Sequence, residues 1–363
     1  MNLIYDKIYS NKRISFNEAL KLYYNCDLLT IAHLADSIKN KIHSKPVISF
    51  VIDRNINYTN ICKSGCLFCA FYRNQGDKDA YIISKNDLKK KIQETIELGG
   101  TQILLQGGMN PDLTINYYVE LLNFIKTNFN IHIHGFSPPE IAFISEQSSL
   151  SIKKTIEVLK QAGLDSIPGG GAEILVDEIR KKISPNKCSA DIWIEVMRTA
   201  HESGIYTTAT MMFGHIEKIE NIIDHLIKIR DIQDQTGGFT AFIPWTFQPT
   251  NTKINVKTKS SADYLKILAL SRIVLDNFKN IQASWVTQGE KIAQLALSFG
   301  ANDFGSTMIE ENVVAAAGVS FRISKDEIIR LIKDAGFVAA QRDCYYNILT
   351  TFLPKSGTTY LKF

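Results

Sequence analysis

Cys62-Lys-Ser-Gly-Cys66-Leu-Phe-Cys69 puts three of the chain's six cysteines within eight residues, one residue after Asn55-Ile-Asn57-Tyr-Thr-Asn60. Thiolates at C-x3-C-x2-C spacing can hold three corners of a cubane iron–sulfur cluster, where a full protein set is four. The fourth iron is then open to a small molecule. An open iron on a reducing cluster suits S-adenosylmethionine (SAM), whose amino and carboxylate groups chelate the metal while an electron breaks the sulfonium C–S bond. That break yields a 5′-deoxyadenosyl radical, strong enough to take hydrogen from an unactivated carbon. The cofactor carries the hard chemistry; the protein orients it and excludes water.

Two plainer readings of the cysteines fit less well. A structural zinc site takes four ligands, usually with a second paired set nearby. The neighbouring candidates Cys26, His43, His132 and His134 have no paired spacing with the triad. A disulfide framework belongs to short secreted chains, and this chain has 363 residues. A non-catalytic zinc or iron–sulfur module therefore stands as the rival from another class.

The bulk numbers set the frame. A length of 363 residues suits one large α/β barrel or two ordinary domains, and 45% hydrophobic with 21% charged residues is an ordinary core-forming composition. The net charge of +4 is small, and the runs Lys89-Lys90-Lys91, Lys153-Lys154 and Lys181-Lys182 read as solvated helix faces, so nucleic acid is not expected as a partner. The N-terminus has no signal-peptide core, and no stretch nears the ~18 apolar residues of a membrane span. A reducing, cytoplasmic home is expected, with Cys26, Cys188 and Cys344 free and packed as small hydrophobes.

Outward from the cysteines, strand-like and helical stretches alternate. Ser15-x-x-Glu18 opens a helix over 17–24. Leu28, Ile31, Ala35, Ile38 and Ile42 share one face of a second, which Pro46 ends. Strand candidates follow at 47–52, 101–106, 131–136, 164–167, 205–213, 239–245, 281–285 and 301–304. Several intervening helices close on glycine: Gly99, Gly163, Gly204, Gly300. Ser84-x-x-Asp87 and Ser324-x-x-Glu327 mark two more helix starts. Eight strands separated by helices predict parallel βα units and an α/β fold, a (β/α)8 TIM-like barrel, ahead of a doubly wound open sheet. The expected organisation is a helical extension over 1–45, a barrel over 46–323, and a C-terminal extension over 324–363 packed on it.

In such a barrel the chemistry sits where the strands end, and the cysteine loop follows the first strand. After the second come Gln106, Gly107 and Gly108, whose glycines allow close backbone approach and read as a cradle for the methionine moiety of SAM. The fourth ends in Pro168-Gly-Gly-Gly-Ala-Glu173, placing a carboxylate for the ribose or ammonium of SAM; capping of the next helix is its structural alternative. Phe68 reads as shielding the cluster and flanking the adenine. His132 and His134 share a face of the third strand, with Ser137 at its end, and a histidine facing the interior can shuttle protons. Thr208, Thr210 and Met212 alternate on the fifth strand with His215 beyond. His134, Thr208 and His215 are the catalytic candidates. Trp245, Gln248, Trp285 and Gln288 offer aromatic walls and amides for a flat polar ligand. Arg198 lies mid-helix and reads as a surface residue.

The triad with Phe68, followed by Gln106-Gly107-Gly108, resembles the radical SAM superfamily. Asn57-Tyr-Thr-Asn-Ile-Cys62 through Cys69-Ala-Phe-Tyr-Arg73 looks like the branch of menaquinone futalosine-pathway and deazaflavin-forming enzymes. Leu105-Gln-Gly-Gly-Met-Asn-Pro111, Phe136-Ser-Pro-Pro-Glu-Ile141, Asp165-Ser-Ile-Pro-Gly-Gly-Gly-Ala-Glu-Ile174 and Phe242-Ile-Pro-Trp-Thr-Phe-Gln-Pro249 resemble the dehypoxanthinyl futalosine cyclase family, as do Thr207-Thr-Ala-Thr-Met-Met-Phe-Gly-His215 and Gly300-Ala-Asn-Asp-Phe-Gly-Ser306. The likeness runs from about Arg54 to Gly318. It implies a [4Fe-4S] cluster on Cys62, Cys66 and Cys69, SAM contacts at Phe68 and Glu173, and a substrate contact at Ser137. It also implies dehypoxanthine futalosine as substrate: the radical takes the ribose C4′ hydrogen, the carbon radical attacks the benzoate ring, and loss of an electron and a proton gives a spirocyclic product. An electron donor such as flavodoxin or ferredoxin is expected. Aminofutalosine synthase and deazaflavin synthase are the nearest rivals.

Overall fold

The computed structural model describes residues 1–319 and 321–353; residues 354–363 of the expected C-terminal extension lie outside the described residues. The strands are β1 (Val47–Val51), β2 (Asp53–Asn57), β3 (Gln102–Gln106), β4 (His132–Gly135), β5 (Thr207–Phe213), β6 (Phe239–Thr246), β7 (Asn280–Ile281), β8 (Asp303–Ser306), β9 (Val338–Arg342) and β10 (Ile348–Phe352).

β1 and β2 are one run of chain broken at Ile52. β1 pairs in parallel with β8 and β2 in parallel with β3, which continues to β4. Single parallel bridges, His134 to Ser166 and Ile167 to Thr207, carry the ring to β5. β5 pairs with β6 and β6 with β7, and a bridge from Gln282 to Asp303 returns to β8. The ring closes with every pairing parallel, so the fold is the expected (β/α)8-type barrel, helices outside. Strand side chains alternate between the two faces. Ile103, Leu105 and Ile133 are fully buried in the core, while Gln102, Gln106, His134, Thr208 and Thr210 turn to the axis.

That polar axis explains where the expected strand ends were wrong. The first strand does not stop at 52 but runs to Asn57, because Asp53, Asn55 and Asn57 are buried polar residues that interrupt the apolar pattern. The last is Asp303–Ser306 rather than 301–304. The seventh is only Asn280–Ile281, and Trp285 opens a short helix, Trp285–Gln288, instead of ending a strand. The fourth position is two bridges and not a ladder.

At the N-terminus a helix Asn2–Tyr9, absent from the sequence reading, precedes Phe16–Asn25 and Leu28–Ile42. Ser15 and Glu18 form the expected capping box. At the C-terminus β9 adds in parallel to β1, from Val47–Val338 to Phe50–Gln341, and β10 adds antiparallel to β9. The end of β9 and the turn after it bring Arg342, Cys344 and Tyr346 to the barrel interior. No helix among the described residues is long and apolar enough to cross a membrane.

Candidate active site

The cysteine loop sits on the rim after β2, and backbone contacts fix its shape. Cys62 N–H donates to Arg73 O (3.0 Å), Lys63 N–H to Met109 O (3.0 Å) and Leu67 N–H to Ile183 O (2.8 Å). Gly65 adopts φ +56°, a left-handed conformation that glycine takes without strain. Met109 N–H lies 3.3 Å from Cys62 Sγ, a donor aimed at the sulfur. Cys66 is buried; Cys62 and Cys69 are partly exposed. Burial pushes the Cys62 and Cys69 thiols up, opposed by backbone N–H groups that favour the thiolate. Among the described residues no three His, Cys, Asp or Glu side chains converge on a single-ion site. Thiols that bind three separate corners of a cubane need not converge.

The glycines after β3 seat this loop. A Cβ at Gly108 would lie 2.1 Å from Ile61 O, and one at Gly107 would lie 2.6 Å from the Tyr58 ring. Both are therefore required by packing beneath the cysteines, whatever they do for SAM. Gly107 N–H also donates to Glu140 Oε1 (2.9 Å). Gln106 lines the interior cavity beside Gly170.

Glu173 is buried, with φ +43°. Its Oε1 lies 2.6 Å from Lys187 Nζ. That ammonium also lies 4.9 Å from the centre of the Phe68 ring. Burial opposes the Lys187 charge, but Cys66 and Glu173 outweigh it and hold the ammonium well above its ordinary range. Lys187 thus joins Glu173, Phe68 and the cysteine loop into one charged rim. Arg180 pins the glycine loop from behind, donating to Gly171 O (3.1 Å), Ala172 O (2.6 Å) and Cys188 O (2.6 Å). Leu67 and Phe68 pack on a separate apolar cluster of Ile179, Ile183, Met212, Phe247 and Ile254, together with Trp245.

Inside the barrel is a cavity of about 280 Å³, lined among others by Gln106, His134, Thr208, Thr210, Trp245 and Glu311. Trp245 belongs both to this cavity and to the apolar cluster under Phe68, so it joins the interior to the rim. Arg342 closes the interior from below, its Nε 2.5 Å from Asp303 Oδ2 and its Nη2 3.0 Å from Oδ1. Asp53, beside it, accepts from Ser306 and from Gln102 Nε2 (2.8 Å), and burial pushes its carboxyl up.

Three expected site residues lie elsewhere. Ser137 is buried with its hydroxyl donating to Glu140, which also accepts from Ser137 N (2.7 Å) and Tyr58 OH (2.7 Å), so it caps the helix Pro138–Gln147 and does not line the cavity. Gln248 turns back on Thr246, donating to its Oγ1 (3.1 Å), as does Gln288 (2.6 Å). His215 sits in the turn after β5 with Nδ1 accepting from Ile216 N–H (2.8 Å), outside the cavity. Arg198 bonds Gln235, away from the site. The free Cys344 is no simple core residue, for it lines the cavity. Sequence reasoning missed Lys187, Arg180, Glu140 and Arg342. Lys187, Arg180 and Arg342 lie in no motif, and Glu140, although inside Phe136-Ser-Pro-Pro-Glu-Ile141, was given no role there; a buried partner identifies each.

The superfamily description "Radical SAM superfamily" matches residues 56–229, and "CofH/MqnC C-terminal region" matches 236–355. The chain is 48% identical to a cyclic dehypoxanthine futalosine synthase of Halalkalibacterium halodurans, over 98% of this chain and 96% of that protein. The chain belongs to the radical SAM superfamily. As a member it is an enzyme that uses a [4Fe-4S] cluster and SAM. A second relative of the same name, from Streptomyces coelicolor, is 42% identical over 95% of this chain and 88% of that protein. A 5-amino-6-(D-ribitylamino)uracil–L-tyrosine 4-hydroxyphenyl transferase of Methanococcus aeolicus is also 42% identical, over 93% and 97%. Among solved structures, the hydrogenase maturase HydG from Carboxydothermus hydrogenoformans superposes with a TM-score of 0.76 at 18% identity, covering 95% of this chain and 80% of that one. Methylornithine synthase gives 0.71 at 19%, covering 92% and 96%. These two show the shared barrel.

The residues present fit the superfamily's cofactors. Three thiols share one preorganised loop, a donor N–H already points at Cys62 Sγ, and a buried carboxylate–ammonium pair stands beside them.

Proposed function

We propose that this radical SAM enzyme cyclises dehypoxanthine futalosine to cyclic dehypoxanthine futalosine in menaquinone biosynthesis. The observation that carries the reading is the likeness to the H. halodurans synthase along 98% of this chain. Cys62, Cys66 and Cys69 would hold the cluster. Phe68, Gln106, Gly107, Gly108 and Glu173, with Lys187, would hold SAM. When bound, these cofactors supply a 5′-deoxyadenosyl radical for the ribose C4′ hydrogen.

The chain's own part is placement and exclusion of water. Trp245 gives the flat substrate a wall between rim and interior. Thr208, Thr210 and Gln106 offer hydrogen bonds to sugar hydroxyls, and His134 is the interior base nearest them. Cytoplasmic residence and a flavodoxin- or ferredoxin-type donor belong to the same reading.

A second reading has its own support: the relatives at 40–42% identity named as tyrosine 4-hydroxyphenyl transferases. One assay separates the two. Reconstituted, reduced protein is incubated anaerobically with SAM and either dehypoxanthine futalosine or 5-amino-6-(D-ribitylamino)uracil plus tyrosine. Mass loss of two hydrogens from the futalosine substrate is expected. A uracil product carrying the 4-hydroxyphenyl group of tyrosine, and no cyclised futalosine, would overturn the reading.

A further inference from the structure

Below the reacting end of the cavity, three polar side chains touch in a line. His134 Nδ1 lies 2.7 Å from Ser166 Oγ, and His132 Nε2 lies 2.7 Å from the same oxygen. His134 Nε2 faces the cavity wall, 3.4 Å from Thr208 Oγ1, which already accepts from Gly169 N–H (3.0 Å). Ser166 and His134 are buried, while His132 is half-buried against the Tyr345 ring at 5.0 Å. His134 and Thr208 line the cavity; Ser166 and His132 do not. The line therefore runs from the cavity towards the barrel floor.

A hydroxyl donates one hydrogen bond and accepts two, and a neutral imidazole donates from one nitrogen and accepts at the other. Two arrangements then satisfy the trio. In one, His134 Nδ1–H donates to Ser166, whose hydroxyl donates to His132 Nε2. In the other, His132 Nε2–H donates to Ser166, whose hydroxyl donates to His134 Nδ1. They differ by the passage of one proton. Burial, with smaller contributions from His132 and Arg342, pushes the His134 imidazole down to about 3, so it rests neutral and does not keep a proton. The Cys344 thiol, 3.4 Å from Ser166 Oγ, is pushed up to about 12 by burial and stays protonated, so it does not compete.

We propose that His134, Ser166 and His132 form a proton wire that carries away the proton released on ring closure. The inference rests on the cyclase reading. After the sugar carbon has bonded to the benzoate ring, the C–H bond at the attacked ring carbon breaks. Its electron pair stays in the ring, leaving a radical anion that gives one electron to an external one-electron acceptor of iron–sulfur or flavin type to become the cyclised product, and the proton goes to His134 Nε2. The Nδ1 proton passes to Ser166, the Ser166 proton passes to His132 Nε2, and His132 releases its Nδ1 proton at the floor. His134 is the catalytic residue of this step; Ser166 and His132 act through it.

The test uses reconstituted holoenzyme and two readouts: 5′-deoxyadenosine formed, and cyclised product per 5′-deoxyadenosine. Ser166→Ala should keep 5′-deoxyadenosine formation within about threefold, since hydrogen abstraction precedes the wire, and lower the product ratio at least tenfold. Ser166→Thr, which keeps the hydroxyl, should restore the ratio. His132→Gln, at the half-buried end, should repeat the loss and covers the case in which Ser166→Ala fails to fold. An unchanged ratio in the folded variants overturns the wire. So does parallel loss of both products, which marks a role in binding or folding. If wild-type protein makes no cyclised product at all, the cyclase reading has failed instead.

Discussion

Glu173 shows how much one residue's surroundings decide. A carboxylate after three glycines is open to two readings, a helix cap or a ligand contact. Its pairing with Lys187 at 2.6 Å, beside the cysteine loop, favours the second. Glu173→Gln keeps the shape and removes the charge. Since a hydrogen bond to a charged group contributes about 1.5–3 kcal/mol, SAM affinity should fall roughly ten- to a hundredfold with iron content unchanged, as read by anaerobic equilibrium dialysis. Unaltered affinity would remove Glu173 from the cofactor site. Cys66→Ala, by contrast, should abolish 5′-deoxyadenosine formation; retained turnover would break the cluster assignment. The triad was legible because thiol spacing is itself a coordination pattern. Lys187 was not, because a lysine after Ser184-Pro-Asn looks like any surface lysine until folding buries it.

At the scale of elements, the strands that face helices on one side and a polar axis on the other were only half legible. Ile103, Leu105 and Ile133 announced β3 and β4, but Asp53 and Asn55 disguised β2 as loop. β9 was unreadable for another reason: Val338–Arg342 gains its place by pairing with β1 nearly three hundred residues earlier, a long-range choice with no local signature. Arg342 makes this docking testable. Its removal strands Asp303, which is fully buried, and breaking a buried pair typically costs 3–5 kcal/mol, whereas replacing both partners is often near neutral. Arg342→Met should therefore lower stability by about that much in urea denaturation, and adding Asp303→Asn should recover most of it. A single variant as stable as wild type would show that the pair does not hold the floor.

For the whole molecule, buried neutral histidines set the acid limit. Burial pushes His134 and His225 down to about 3 and His201 to about 4. Each folded value lies below the unfolded value of about 6.5, so the unfolded chain binds more protons through that interval. Stability is complete above about pH 6.5 and falls as pH drops towards 4, by up to about 1.4 kcal/mol per unit per histidine. Urea midpoints of the apoprotein should decline steeply from pH 7 to pH 5; a flat profile would mean these rings are not buried neutral. The closed barrel itself was foreseen from alternating strand and helix signals, and the sequence placed the cysteines on its active rim. The interior polar network was not foreseen, since it is assembled from strands far apart in the chain.

The central claim is that three thiols hold a cubane whose remaining iron takes SAM. It is tested most directly by electron paramagnetic resonance of the reconstituted, reduced protein with SAM labelled with ¹⁵N in its amino group. The cluster signal should change when SAM is added and show coupling to the labelled nitrogen. A signal indifferent to SAM, or a protein that binds one zinc ion and no iron, would contradict the account.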